Sequence, residues 1–209
     1  MDAHAHCCAD HSCTLNYSLY KHINLPGVTC LNAVSEDVLP DVFRPWESRL
    51  SHPSSFLRSD PDDPELLLTI PFTTNVTILA VAIICPEDSE FTTYPDSVRV
   101  FTNRENMDFQ TAQEAPPVQS WDLLQDYRAQ TVAEYTCKPG KFVGVHTLTM
   151  HFPSSYGADE TNISFIGFKG TASGVVREAP KNLVYESQPT PEDAGKAPDE
   201  LRGGMNMGM

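Results

Sequence analysis

The sequence predicts an all-β protein with a β-sandwich or jelly-roll architecture, and three observations lead to this fold class. Apolar and polar residues alternate with a period of two through residues 142–152, which is the pattern of a strand with one buried face. Residues 76–84 are almost entirely apolar on both faces, as in a central strand. The chain also contains 17 Pro and shows no long helical pattern. Pro disfavours the interior of a helix, because it removes a backbone donor and clashes with the preceding helical turn.

The alternation predicts six strands in chain order. They are Leu66–Phe72, Val76–Ile84, Val98–Val100, Thr131–Cys137, Phe142–Phe152 and Ile163–Phe168. Turns rich in Pro with Asp or Gly separate them, as at residues 60–64 and 138–140. Within the fifth strand the period places His146 on the apolar face, where we expect a hydrogen-bonded core histidine. His151 falls on the opposite, Thr-rich face.

One folded domain is predicted between two tails. Residues 1–14 consist of His, Cys, Asp and Ala with few apolar residues, and residues 194–209 are rich in Gly and polar residues. Both segments are too poor in core-forming residues to offset the entropy lost on ordering, so we expect disordered tails. The folded domain is then expected to span residues 15–193.

The charge of the chain restricts its partners. There are 28 acidic residues against 14 Lys plus Arg, a formal net charge of −14, so we expect neither nucleic acid nor membrane as a partner. The longest apolar run, residues 76–85, is far shorter than the about 20 residues of a membrane-spanning helix. The first residues lack the basic start and apolar stretch of a secretory signal. We therefore expect a cytoplasmic or nuclear protein whose Cys residues are thiols or metal ligands.

Several short segments, taken in order, resemble the PITH domain family. They are Cys30–Asn32, Phe43–Arg49, Ser59–Asp60, Glu65–Leu67, Ile70–Phe72, Asn103, Met107–Phe109, Leu148–Phe152, Phe165–Gly170 and Val184–Ser187. The resemblance implies a jelly-roll β-sandwich of the galactose-binding-like type and association with the 26S proteasome. It is closer to the stand-alone members, because no thioredoxin domain and no Cys-x-x-Cys pair precede it. The ending at Thr190–Ala194 departs from the family pattern.

The N-terminal segment contains six side chains that could bind a soft metal, which are His4, His6, Cys7, Cys8, His11 and Cys13. Imidazole and thiolate groups suit Zn²⁺ or Cu⁺. Structural zinc sites normally use Cys or His pairs separated by a rigid turn, whereas Cys7 and Cys8 are adjacent and no second pair follows at zinc-finger distance. We favour adventitious binding by a disordered tail and predict no cofactor. A metal-handling protein is the alternative.

The segment Phe43–Arg49 is the predicted partner-binding site, through Phe43, Arg44, Trp46, Glu47 and Arg49. An exposed Trp beside Arg is typical of the residues that dominate binding energy in interfaces. A Trp packed in the core, with Arg44 or Arg49 covering it and pairing with Glu47, is nevertheless favoured for Trp46, because Trp is usually well buried.

No catalytic constellation is assembled in the sequence. His146 and His151 lie five positions apart on one strand, so they point to opposite faces and cannot chelate one metal ion. The acidic loop at residues 60–65 does not have the spacing of a calcium-binding loop and is favoured as a solvated turn. We therefore predict a non-enzymatic protein-interaction module. A small-ligand or carbohydrate-binding sandwich, using Trp46 or Trp121, is the alternative by fold analogy.

Overall fold

The computed structural model describes residues 17–51, 55–86, 90–104, 106–124 and 133–176. This part of the chain is mostly antiparallel β-structure, as predicted. Its strands are β1 (Thr29–Leu31), β2 (Leu57–Arg58), β3 (Leu66–Ile84), β4 (Ser97–Thr102), β5 (Gln119–Asp122), β6 (Glu134–Thr136), β7 (Val145–Phe152), β8 (Asn162–Ile163) and β9 (Phe165–Val176). Two short helices, α1 (Leu39–Val42) and α2 (Phe109–Glu114), and two single 3-10 turns (Trp46–Ser48 and Phe91–Thr93) lie between strands, and two further 3-10 turns (Tyr20–His22 and Leu25–Gly27) precede β1. Among the described residues, no helix is long and apolar enough to cross a membrane.

Strand β3 organises the sheets by changing partners along its length. Its first half pairs with β1 on one side and β7 on the other, in the order β1-β3-β7-β4-β5. Its second half pairs with β6 and β9. The prediction of separate strands at residues 66–72 and 76–84 is wrong, because the chain runs on extended and only the register shifts between Pro71 and Val76. The intervening β-branched Thr73 and Thr74 favour extended backbone.

The main core lies between the part of the sheet that contains the first half of β3 and the part that contains its second half. Alternate residues of β3 are buried through its first half and beyond, and the even-numbered residues Leu148, Met150 and Phe152 of β7 face the same core. Strand β7 begins later than its predicted start at Phe142, because Gly144 adopts φ 68° and turns the backbone just before Val145. The predicted apolar face of this strand is therefore present, but the strand is three residues shorter than predicted.

A second, smaller core lies on the outer face of β3, β4 and β7. Leu67, Phe101, Met107 and Ala112 form it, with α2 as its cover. Helix α2 begins after Asp108, whose carboxylate accepts the N–H of Thr111 at 2.7 Å.

Because helix α2 covers the outer face of the sheet, His151 is the buried histidine and His146 is not. His151 is fully buried, whereas His146 is only partly buried, so the prediction that His146 is the core histidine is wrong. The predicted metal-binding residues His4 to Cys13 and the two predicted tails lie outside the described residues.

Candidate protein-interaction site

The predicted partner-binding segment places its two aromatic residues in the interior. Phe43 is fully buried and stacks against Phe168, with the ring centroids 6.3 Å apart. Trp46 is 6% exposed, and its ring meets the Phe165 ring edge-on at 6.0 Å. Between them the backbone is extended at Pro45, which fixes the approach to the turn at residues 46–48. The Trp46 ring therefore packs in the core rather than presenting an exposed face to a partner.

Arg44 holds this segment through backbone carbonyl groups. Its guanidinium donates to the carbonyl oxygens of Asp41, Ser48, Arg49, Ser51 and Ser164 at distances of 2.5–3.2 Å. Burial lowers the pKa of Arg44, and the nearby Asp41 carboxylate opposes that effect. The Ser164 contact ties the loop to the start of β9. We call residues 41–51 the Arg44 loop, because one side chain fixes its shape.

Two cations cover the ring of Trp46. The Arg49 guanidinium lies 4.9 Å from the Trp46 ring centroid and the Lys169 ammonium 4.4 Å from it, distances at which cation–π attraction operates. Lys169 also donates to the Glu134 carboxylate. Glu47, by contrast, is exposed. The surface of the segment is therefore formed by charged groups, and the buried Trp46 ring packs beneath the cations.

An open groove runs beside the Arg44 loop. Its first part, of about 520 Å³, is lined by Ser18, Tyr20, Lys21, His22, Pro45, Trp46 and Glu47. Its second part, of about 340 Å³, follows the outer edge of β9 along Gly170–Gly174 and shares Ser18 and His22 with the first. We call this feature the Ser18–His22 groove. Sequence reasoning did not find it, because its walls come from four segments far apart in the chain, around residues 18–22, 45–47, 74 and 170–174.

A buried polar network on the opposite part of the fold centres on His151. Its Nε2 lies 2.6 Å from Glu65 Oε1, which also accepts a hydrogen bond from the Gln113 amide at 2.7 Å. Since a carboxylate only accepts, Nε2 carries the proton of the neutral ring. The other ring nitrogen, Nδ1, has no hydrogen-bond partner among the described residues. Burial lowers the pKa of His151, and the hydrogen bond to Glu65 opposes that effect.

This network has no nucleophile. Within the described residues His151 makes no hydrogen bond to a Ser, Thr or Cys side chain, so no acyl-transfer triad is assembled around it. His146 bonds instead to its neighbour Thr147, with 3.1 Å between Nδ1 and Oγ1. The arrangement joins Gln113 of α2 and Glu65, next to β3, to His151 of β7.

The described residues contain no group of three or more His, Cys, Asp or Glu that could hold a metal ion. In the acidic loop, the Asp60 carboxylate accepts the N–H of Asp62 at 2.9 Å and the Asp63 carboxylate accepts that of Glu65 at 3.0 Å. These are turn-stabilising contacts.

The thiols in the described chain are also poor metal ligands. Burial raises the pKa values of Cys30 and Cys85 well above the usual range and that of Cys137 to about 12, so all three thiols stay protonated at neutral pH. A metal ligand of this type has to be a thiolate.

Both Trp rings, the candidate platforms for a sugar, pack against other side chains of the protein. Trp46 is buried beneath Arg49 and Lys169, as described above. Trp121 stacks on Phe142 at 6.2 Å with an interplanar angle of 25°, and its Nε1 donates to the carbonyl of Thr136 at 3.3 Å. Both rings are thus engaged by the protein itself.

Comparison with known families gives one match over most of the chain. The model of the PITH domain matches residues 9–189. PITH domain-containing protein 1 of Homo sapiens is 34% identical over 179 residues, covering 86% of this chain and 81% of the relative. PITH domain-containing protein 1 of Dictyostelium discoideum is 32% identical over 195 residues, covering 90% and 93% respectively.

Comparison with solved structures finds the same architecture at much lower sequence identity. The CBM32-3 domain from a family 31 glycoside hydrolase of Clostridium perfringens superposes with a TM-score of 0.54 at 10% identity, covering 76% of this chain and 98% of that domain. An F5/8 type C domain from Bacteroides fragilis gives a TM-score of 0.50 at 10% identity, covering 76% and 99%. These likenesses establish the fold as a galactose-binding-like β-sandwich.

Proposed function

The chain belongs to the PITH domain family, and on that premise we propose that it is a non-enzymatic protein-interaction module that associates with the 26S proteasome. The single observation that carries the proposal is the family match across residues 9–189, which takes in the Arg44 loop and the groove beside it. The proposal also assigns the protein to the cytoplasm and nucleus, where proteasomes work.

The geometry of the described surface supports an interaction role. The Arg44 loop is fixed by five side-chain-to-backbone hydrogen bonds, so it is ordered before any partner arrives. Preorganisation of this kind lowers the entropic cost of association. Next to the loop lies an open groove with polar and charged walls, including Lys21, His22 and Glu47. A rigid rim beside an accessible groove suits recognition of another protein better than the enclosed site of an enzyme.

The test is affinity purification of the tagged full chain from its native cells at physiological salt, with the tag alone as the control. We expect subunits of the 26S regulatory particle to be enriched over the control by quantitative mass spectrometry. Purified 26S proteasomes should then bind the immobilised chain directly, which separates direct contact from bridging by other proteins. Absence of every regulatory-particle subunit from the eluate, together with no direct binding, contradicts the proposal.

No described feature favours a second function. The superposition on carbohydrate-binding modules rests on 10% identity and concerns the fold alone, while both Trp rings are occupied within the protein. The metal-handling alternative depends on residues 4–13, which lie outside the described chain.

A further inference from the structure

We propose that an exposed apolar and cationic patch, formed by Leu79, Lys138, Lys141 and Val143, is a surface that contacts the partner protein. We call it the Leu79–Val143 patch. This inference rests on the proposed function, because the partner is the one that the module binds. It specifies what the partner must present, namely an acidic segment that also carries an aliphatic side chain.

The loop between β6 and β7 brings the two apolar residues of the patch together. It lies along strand β3, since Cys137 N donates to Leu79 O at 2.9 Å and Ile78 N donates to Phe142 O at 3.0 Å. Ile78 and Phe142 are buried in the main core. The residue that follows each of them is exposed, to 49% for Leu79 and 62% for Val143. Two aliphatic side chains therefore reach the surface beside the same pair of hydrogen-bonded segments.

The exposure of Leu79 coincides with an irregularity in strand β3. The register of β3 against β9 shifts between Ile78 and Ala80, so Leu79 has no partner residue on β9. An extra residue of this kind is left unpaired in the ladder, and the bulge redirects its side chain. The Leu79 side chain is therefore placed at the surface by a strand that is paired before and after it.

Hydrogen bonds to neighbouring segments fix the loop that carries the rest of the patch. The buried Gln119 side chain accepts the N–H of Lys138 at 2.8 Å and donates to the carbonyl of Thr136 at 3.0 Å. At the other end of the loop, Asn103 Nδ2 donates to the carbonyl of Gly144 at 3.1 Å. The loop is thus ordered before a partner arrives, which lowers the entropic cost of association.

The patch is positively charged on an acidic chain. Lys138 and Lys141 are exposed, and neither has a carboxylate within 4.0 Å among the described residues. Lys169, by contrast, is paired with Glu134. Residues 135–158 contain no Asp or Glu, although the chain has 28 acidic residues. Carboxylates of a partner complement the two ammonium groups.

The charge of the chain favours a protein over a membrane or a second copy as the occupant of the patch. A net charge of −14 repels an anionic lipid surface and also another copy of the chain. Two aliphatic side chains bury far less apolar area than the amphipathic helices that bind membranes. An apolar centre with polar groups around it is the usual composition of a protein interface. The patch therefore suits a protein segment in which carboxylates flank an aliphatic residue.

Val143→Ser tests the apolar part of the patch in the full chain, with purified 26S proteasomes as the probe. We expect the affinity to fall about fivefold, because the apolar area that Val143 buries against the partner is lost. Val34→Ser is the matched control, since Val34 is 63% exposed and lies outside the patch. It should bind like the wild type. Thermal unfolding of both variants verifies that they remain folded.

Lys138→Glu and Lys141→Glu, made separately, test the charged part. We expect each to lower the affinity about fivefold and to weaken its dependence on salt, because a carboxylate then faces the acidic segment of the partner. Arg58→Glu is the control, since it changes the net charge by the same amount at an exposed site in β2. It should bind like the wild type.

The other occupants have their own readouts. Sedimentation with vesicles that contain phosphatidylserine tests a membrane, and sedimentation velocity over a range of protein concentrations tests a second copy. Vesicle binding or dimerisation that Val143→Ser and Lys138→Glu abolish, with proteasome binding unchanged, would assign the patch to that occupant and overturn the inference.

The possible failures are distinguishable. If the wild-type chain does not bind proteasomes, the proposed function fails and this inference fails with it. If the wild type binds and the three patch variants bind equally well, the inference alone is overturned. Losses as large in Val34→Ser and Arg58→Glu as in the patch variants would show that the effect is not specific to the patch and also overturn it.

Discussion

Arg44 shows how one side chain can shape a surface through hydrogen bonds to backbone carbonyl groups. Five carbonyl oxygens surround its guanidinium, and its face lies 5.1 Å from the Phe165 ring centroid. Arg provides five N–H donors in a fixed plane, whereas Lys provides a compact point charge with three. The sequence favours core packing of Trp46, as the structure shows, and assigns partner binding to residues of this segment. That assignment stays a prediction for Glu47 and Arg49, while the rings of Phe43 and Trp46 are interior.

Replacing Arg44 with Lys should destabilise the protein by about 2–3 kcal/mol, because several carbonyl groups lose charge-assisted donors together. Urea unfolding followed by tryptophan fluorescence measures the difference, since Trp46 lies in the same loop. Arg58→Lys is the control. Its side chain is 51% exposed and pairs with Glu160 at the surface, so the cost there should stay below about 0.5 kcal/mol. Equal losses in the two variants would contradict the role given to Arg44.

His151 makes stability depend on pH. The unfolded chain has the ordinary His pKa of about 6.5, and in the folded protein the pKa of His151 is lower, because burial disfavours the charged ring. The unfolded state therefore binds more protons on acidification, so the contribution of His151 is complete above about pH 6.5 and is lost as the pH falls toward the folded pKa. Glu65 and Arg99 are the charged groups that act on the ring, in opposite directions.

His151→Gln removes the titrating ring and keeps a donor for Glu65. The free energy of unfolding, measured in urea between pH 7.5 and 5.5, should decline less steeply in this variant than in the wild type. The His146→Gln control should retain the wild-type slope, since His146 is only partly buried and lies outside the network. A wild-type slope in His151→Gln would show that other groups cause the acid sensitivity.

At the scale of elements, strands β3 and β9 are pressed together at one glycine. A methyl group on Gly170 would lie 1.9 Å from the carbonyl oxygen of Thr77, which no backbone adjustment of a few tenths of an ångström relieves. This close approach coincides with the register shift between Ile78 and Ala80 opposite β9. A bulge brings the backbones nearer than regular pairing does, and Gly is the residue that tolerates it.

Gly170→Ala should therefore cost about 2–4 kcal/mol, the range in which overpacking and backbone strain fall. Gly174→Ala, four positions along the same strand, meets open space and should change stability by less than about 1 kcal/mol. Thermal unfolding of the two variants side by side measures the contrast. If Gly170→Ala unfolds like Gly174→Ala, the close approach of the two strands is not as described.

The alternation of apolar and polar residues was sufficient to predict most strands, but not where one strand continues into the next. Alternation identified β7 and the two halves of β3, because each needs one buried face. It did not find that the halves are one strand, since a register shift leaves no mark on polarity. It also misassigned the core histidine, because the burial of His151 depends on α2, a six-residue helix contributed by a distant segment. Local patterns contain no information on which distant element covers a face.

At the scale of the whole molecule, the acidic charge and the protected edge of β1 both oppose association between copies of the chain. The edge strand β1 has the N–H of Cys30 occupied by the Glu36 carboxylate at 3.1 Å, which hinders pairing with another chain. The net charge of −14 adds repulsion between copies.

The continuity of strand β3 affects how the domain unfolds. Its 19 residues contribute to both parts of the sheet, so neither part can lose its central strand while the other keeps a complete one. Amide protons along its length should exchange with solvent only through global opening, at one common rate limit, whereas those of the peripheral β2–β8 pair should exchange through local opening. The same continuity requires distant segments to meet early in refolding, which favours a slow, concerted transition.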